Sequence, residues 1–140
     1  MPLIRDADLV SSVGIEADEP RDRLLVANSD RAVFGGNAAG HAKLGVYRLT
    51  TGERLAMVDL GAVIGTPAAP AFFANDVTVD CEGNAYVTDT QQNVVYRVTP
   101  DHQASVLHRF TNMPENTALN GIVYHDGGYL LVVAGANIYK

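Results

Sequence analysis

One pattern of apolar runs occurs three times along the chain, and this repetition limits the possible folds more than any other feature. The first run of each copy has the sequence VGIEAD, NDVTVD or NGIVYH, at residues 13–18, 75–80 and 120–125. A second run follows after a turn, at residues 24–27, 85–88 and 130–133. A third run follows at residues 46–50, 95–99 and 138–140, and a fourth run closes the first two copies at residues 53–58 and 104–109.

These runs predict β-strands joined by tight turns. They are short, rich in Val, Ile, Leu and Tyr, and bounded by turn residues such as Glu82-Gly83-Asn84 and Thr51-Gly52. Val46 and Arg48 alternate with Tyr47 and Leu49 in the third run, which is typical of a half-exposed strand. The second runs are almost entirely apolar, as in strands covered on both faces. No segment shows a convincing helical period.

The spacing of the copies predicts an all-β protein built from propeller blades. The step from Asp76 to Gly121 is 45 residues, and loops at residues 30–43 and 61–73 lengthen the first copy. Four-stranded antiparallel units at a step of about 40–45 residues are typical of β-propellers. A β-sandwich is the alternative, but it does not explain the constant order of the runs. We divide this single domain, residues 1–140, into a leading strand and three blades, at residues 1–10, 11–60, 74–110 and 118–140.

About three blades are too few to close a propeller, which typically needs at least four. Two chains related by a twofold axis would form a closed six-bladed ring, with the commonest symmetry of oligomers. The sequence therefore predicts a homodimer, in which the leading strand of one chain completes the third blade of the other. The alternative is that the chain is a piece of a longer propeller.

Composition excludes several classes of partner. The 10 Lys and Arg residues against 16 Asp and Glu give a net charge of -6, which argues against binding to nucleic acid. No run of 18 apolar residues suggests a membrane helix, and no apolar leader follows Met1. The single cysteine, Cys81, cannot form an internal disulfide. We therefore expect a cytoplasmic protein without a membrane partner.

Residues 75–89, with the sequence NDVTVDCEGNAYVTD, resemble a blade of the senescence-marker-protein/gluconolactonase/regucalcin group. These propellers are loosely called calcium-dependent phosphotriesterase-like. Residues 119–125 and 14–26 resemble further blades, so the resemblance spans about residues 11–140. It implies a six-bladed β-propeller. The blade motif also occurs in non-enzymatic propellers of the NHL type, so it indicates the fold more strongly than the activity.

The resemblance also implies a site at the central channel. In this family, residues that open the innermost strands bind a divalent metal, often calcium, through a Glu, two Asn and an Asp. Asn75 and Asn120 match the two asparagine ligands, and Asp76 is the acidic candidate for a catalytic base. Val13 stands at the equivalent position of the first copy and cannot ligate a metal, and neither the Glu nor the Asp ligand has a clear counterpart. The alternative is that these residues cap strands and bond to the backbone.

Other polar residues predict structure rather than chemistry. Residues 80–84 begin like a calcium loop, but Gln91 replaces the glutamate that such a loop requires, so a turn between two strands is predicted. Asp89 is expected to hold the following loop by hydrogen bonds to the backbone. His41 is expected in a long loop, from which it could reach the channel. Tyr47, Tyr96 and Tyr139 share one repeat position, which indicates packing between blades.

Two hypotheses on function follow. The first is a binding or scaffold module that holds a small molecule or a partner at the central channel or the rim. The second is a metal-dependent hydrolase of lactones or esters, which the resemblance implies, with calcium or another divalent metal held near Asn75, Asp76 and Asn120. A functionless remnant of a propeller is a third reading. Fold alone does not decide between them.

Overall fold

The structure, a computed structural model, describes residues 1–36, 38–65 and 70–140, and these residues form an all-β protein. Residues 37 and 66–69, where the sequence predicts parts of the loops at 30–43 and 61–73, lie outside the described residues. Within the described part, no helix is long and apolar enough to cross a membrane. The strands are β1 (Ser11–Asp18), β2 (Arg23–Ser29), β3 (Gly40–Arg48), β4 (Arg54–Asp59), β5 (Phe72–Val79), β6 (Ala85–Asp89), β7 (Val94–Val98), β8 (Ala104–Arg109), β9 (Leu119–His125), β10 (Tyr129–Ala134) and β11 (Asn137–Tyr139).

The strands form three antiparallel groups, each of which follows the order of the chain. We call β1–β4 the first group, β5–β8 the second and β9–β11 the third. A short parallel pairing of Gly40 and His41 with Phe72 and Phe73 joins the first two groups into one eight-stranded sheet. The third group is a separate three-stranded sheet. The predicted all-β class, with mostly antiparallel pairing, is confirmed.

His41 does not lie in a loop, contrary to the prediction. It belongs to β3, which begins at Gly40, ahead of the predicted third run. The parallel pairing with β5 extends the strand into a segment whose Gly and Ala residues suggested a loop. Burial, followed by the charge of Lys43, lowers the pKa of His41.

The hairpin between β5 and β6 is fixed by the Asp80 carboxylate. Its Oδ1 atom accepts hydrogen bonds from the backbone N–H groups of Glu82 at 3.0 Å and Asn84 at 2.8 Å. Its Oδ2 atom accepts one from the Tyr86 hydroxyl at 2.8 Å. Gly83 takes a φ of 90°, which a side chain would strain. The predicted turn at residues 80–84 is therefore confirmed.

Two cores hold the groups together. The first and second groups bury a cluster that includes Leu25, Leu44 and Tyr96, and the second and third groups bury a smaller one around Val95 and Ile122. Removing each such side chain from water contributes about 1.5–3 kcal/mol. Each group thus packs one face on the next group along the chain.

Residues 1–10 form no strand, in contrast to the predicted leading strand. They cross the face of the first group that points away from the second, where Ile4 and Leu9 pack on a small cluster with Tyr47. The Asn28 side chain bonds to the backbone of this segment, accepting from Val10 N–H at 3.0 Å and donating to the Asp8 carbonyl at 2.7 Å. Side-chain bonds therefore occupy backbone groups that a strand would pair with a neighbouring strand.

Candidate functional site

The first strands of the three groups lie side by side, with β5 between β1 and β9. Gly14 permits the close approach of β1 to β5, whereas a side chain at Gly121 would make only an ordinary contact. A Cβ atom at Gly14 would lie 2.5 Å from Asp76 Oδ1 and 2.6 Å from Asp76 Cα. A Cβ atom at Gly121 would lie 3.7 Å from Asp76 Oδ2. Asp76 thus sits where all three first strands meet.

Asp76 links β5 to β9 and to β6 by hydrogen bonds. Its Oδ2 atom accepts a hydrogen bond of 3.0 Å from the backbone N–H of Ile122 in β9. Its own backbone N–H donates to the Thr88 hydroxyl in β6 at 3.2 Å. The carboxylate is half-buried. One of its oxygens is therefore already used in holding β9 against β5.

Asn75 and Asn120 lie on these neighbouring strands, as a shared site requires. The Asn75 amide donates to the Thr90 hydroxyl at 2.9 Å, and that hydroxyl donates to the Leu119 carbonyl at 2.9 Å. The Asn120 carbonyl accepts from the Thr88 hydroxyl at 2.5 Å, whereas Asn120 as a whole is exposed. Neither bond joins an asparagine side chain to the backbone: the Asn75 amide meets a side-chain hydroxyl, and Asn120 takes part through its own backbone carbonyl.

Glu16 is a site residue that the sequence reasoning missed. It lies on β1, two residues after Gly14, so the alternation of a strand places both on one face. Burial, and then the negative charges of Asp76 and Asp18, raises the pKa of the Glu16 carboxyl above its usual value. The spacing of two residues from Gly14 could have indicated Glu16. That spacing points to the site only when Gly14 is known to face Asp76.

The oxygen donors near Asp76 are carboxylates and amides, the ligand types that calcium binds. Calcium prefers six to eight oxygen ligands. One chain offers the carboxylates of Glu16 and Asp76 and the amides of Asn75 and Asn120, and Asp76 Oδ2 is already bonded to the backbone of β9. Among the described residues, no group of three or more His, Cys, Asp or Glu is placed to hold a metal ion. What the arrangement offers chemically is a half-buried, acidic surface with amide groups beside it.

Comparisons with known proteins assign the chain to no family. No family model matches the chain, and a search of the curated proteins found no significant match. Function is therefore argued from the geometry of this chain.

Proposed function

We propose that the three strand groups are blades of a β-propeller and that two chains form a six-bladed ring. Three antiparallel groups with the same strand order, and first strands that lie side by side, support this arrangement. In a ring of this kind, the first strands surround a central channel. Glu16, Asp76 and Asn120 would then line that channel near its axis.

Ring closure is supported by one uncovered sheet face. We call Val123, Leu131, Val133 and Ile138 the open face, because register pairs Val123 with Leu131 and Val133 with Ile138 on the same side of the third group. The exposed fractions of Val123, Val133 and Ile138 are 52%, 36% and 71%.

The equivalent positions of the first group are covered. Leu25, Ala27 and Val46 are at most 1% exposed, because the second group packs on them. A second chain would cover the open face in the same way. The first group of the second chain exposes the apolar side chains of Ile15 and Leu55, at 63% and 37%, for this contact.

The function that this geometry supports best is the binding of a small molecule or a partner at the channel. The observation that carries it is the hydrogen bond from Ile122 N–H to Asp76 Oδ2. Through this bond, the carboxylate of the candidate base holds β9 against β5. A general base must be within reach of a substrate proton, and a carboxylate held by the backbone is less suited to that role. The polar, acidic surface that remains suits a ligand with hydroxyl or amino donors.

A metal-dependent hydrolase of lactones or esters is the second candidate, and Glu16 favours it. A carboxyl whose pKa is raised by burial and by neighbouring negative charges is better matched to proton transfer near neutral pH. In this alternative, Glu16 accepts a proton from the attacking water and Asn120 orients the substrate.

The native mass tests the ring. Light scattering coupled to size exclusion should give about twice the chain mass of 14.9 kDa. A lysine at Val123 or Ile138 should reduce it to the mass of one chain, whereas a lysine at Leu107, which is 48% exposed outside the open face, should not. A monomeric natural chain would refute the ring and its shared channel.

Turnover separates the two functions. Hydrolysis of glucono-δ-lactone should stay at the spontaneous rate, with and without calcium, if the protein only binds ligands. A calcium-dependent rate that Glu16→Gln abolishes would instead establish the hydrolase. Asp126→Asn is the matched control, since Asp126 is exposed in the turn between β9 and β10.

A further inference from the structure

Ring closure needs a contact surface on the first group, on the face that points away from the second group. Strand register identifies this face, because the third residue of each first run begins a row that crosses its group. In the first group the row joins Ile15 to Val26 and Gly45. The matching rows are Val77, Val87 and Tyr96 in the second group and Ile122, Val132 and Tyr139 in the third. The same places in the three sheets can thus be compared.

In the second and third groups, this row packs on the preceding group. Val77, Val87 and Tyr96 are at most 2% exposed and belong to the core shared with the first group. Ile122 and Val132 are 7% and 4% exposed and belong to the core shared with the second group. In the proposed ring, the same row of the first group must therefore meet the open face of a second chain.

In the first group, a segment of the same chain covers part of this row. We call residues 1–10 the leading segment, and the face of the first group that carries Ile15 and Val26 the closing face. Val26 is 3% exposed and belongs to a small cluster on which Ile4 and Leu9 of the leading segment pack. Ile15, in the same row, is 63% exposed. The leading segment thus occupies part of the surface that a second chain needs, and leaves the first strand free.

The contacts of the leading segment can be exchanged for those of a second chain. The segment forms no strand, so no ladder of backbone bonds fixes it to the sheet. The Tyr47 ring lies 2.7 Å from the position of a Cβ atom at Gly45, and its hydroxyl donates to Asp6 at 2.9 Å. Arg54 pairs with Asp6 at 3.2 Å and with Asp8 at 2.6 Å, but its side chain is 45% exposed. Exposed ion pairs of this kind contribute little to stability.

We propose that the leading segment competes with a second chain for the closing face, and that ring closure displaces it. The inference rests on the proposed ring. In the single chain, the segment keeps part of an apolar face out of water. In the ring, the open face of the second chain covers Ile15 and Val26, as the second group covers Ile122 and Val132. The strength of association is therefore set by how firmly the leading segment is held.

Sedimentation equilibrium of two variants tests the competition. Leu9→Ser removes an apolar anchor of the leading segment and should tighten the association of two chains about tenfold, because a half-buried leucine holds the segment by about that factor. Leu3→Ser is the matched control, since it makes the same change in the same segment at a side chain that is 53% exposed. It should leave the association unchanged. Equal association of the two variants would overturn the competition.

Amide hydrogen exchange of the natural chain follows the leading segment directly. The Val10 N–H donates to the Asn28 side chain at 3.0 Å, so it is protected while the segment lies on the closing face. Its exchange should become faster at concentrations where the ring forms. The Ile122 N–H, which donates to Asp76 at 3.0 Å, should keep its rate and is the control.

The two measurements separate failure of the displacement from failure of the ring. A Val10 N–H that stays protected after two chains have associated would overturn the displacement and leave the ring standing. If the natural chain and the Leu9→Ser variant both remain single chains at every concentration measured, the ring is refuted, and the displacement with it.

Discussion

Gly14 faces Asp76 so closely that a Cβ atom at position 14 would lie 2.5 Å from Oδ1 of the carboxylate. The same atom would lie 2.8 Å from the Asn75 carbonyl oxygen, so backbone as well as side chain blocks it. The approach of β1 to β5 therefore depends on the absence of a side chain at this position.

Gly14→Ala should destabilise the protein. The added methyl group forces β1 away from β5, and overpacking of this kind costs about 1–3 kcal/mol. Urea unfolding followed by circular dichroism measures the change. Gly35→Ala is the control, because nothing lies within 4 Å of a Cβ atom at Gly35. Equal stability of the two variants would contradict the close packing at Gly14.

The strands were predictable because their signals are local. Each strand of the described residues overlaps an apolar run, and the turn at residues 80–84 carries its own bonding groups in Asp80 and Asn84. Residues 1–10 were misjudged because their conformation depends on distant partners. The Tyr47 hydroxyl donates to Asp6 at 2.9 Å, and Arg54 pairs with Asp6 and Asp8.

At the candidate site, too, the contacts that depend on distant parts of the chain could not be predicted. Asn75 and Asn120 could be placed on neighbouring strands from the repeat alone. That Asp76 bonds to Ile122 could not, because it depends on how closely β9 approaches β5. Glu16 was missed for the same reason, since its environment is set by Asp76, far away in sequence.

The buried Asp89 carboxylate organises the end of β6, and its removal should be costly. Oδ1 accepts hydrogen bonds from the backbone N–H groups of Phe73, Gln91 and Gln92, at 2.9–3.1 Å. Oδ2 accepts one from the Tyr96 hydroxyl at 2.9 Å. Asp89 is fully buried, so water cannot replace a lost bond. The predicted role of Asp89 in holding the following loop is confirmed.

Asp89→Ala should therefore lower the free energy of unfolding by about 3 kcal/mol or more, since each buried group left unpaired costs about 1–3 kcal/mol. Tyr96→Phe removes only one of the bonds and should cost about 1 kcal/mol. Chemical denaturation measures both. Asp126→Ala, at an exposed turn, provides the baseline. A cost of Tyr96→Phe as large as that of Asp89→Ala would contradict the role given to the backbone bonds.

Glu16 should make the stability depend on pH in an identifiable way. Its pKa in the folded protein is raised above the usual value of 4.5, chiefly by burial and then by Asp76 and Asp18. The folded state thus binds this proton more tightly than the unfolded state. The contribution to stability is fully present below pH 4.5 and is lost as the pH rises through the raised pKa.

Glu16→Gln should consequently raise the thermal midpoint at pH 7, because the variant carries no buried negative charge there. The difference from the natural protein should shrink as the pH falls towards 4.5. Thermal unfolding at several pH values measures it. Glu115→Gln, an exposed position, should show no such convergence. A difference that stays constant with pH would rule out titration of Glu16 as its cause.

A buried ion pair joins the end of β1 to β2, and its arginine also bonds to the second group. Asp18 is 2% exposed and Arg23 is 7% exposed, with Arg23 Nε donating to Asp18 Oδ2 at 2.9 Å. Arg23 also donates to the Gly83 carbonyl, in the turn between β5 and β6, at 2.9 Å. Arg21 pairs with the other oxygen of Asp18 at 3.0 Å but is more exposed.

Arg23→Met should lower the free energy of unfolding by about 3–5 kcal/mol, because it leaves a carboxylate buried without its main partner. Arg21→Met should cost about 1 kcal/mol or less, as for a pair near the surface. Adding Asp18→Asn to Arg23→Met removes the unpaired charge and should recover part of the loss. Urea unfolding of the three variants decides the question. If the double variant were less stable than Arg23→Met alone, the unpaired charge of Asp18 would not be the source of the cost.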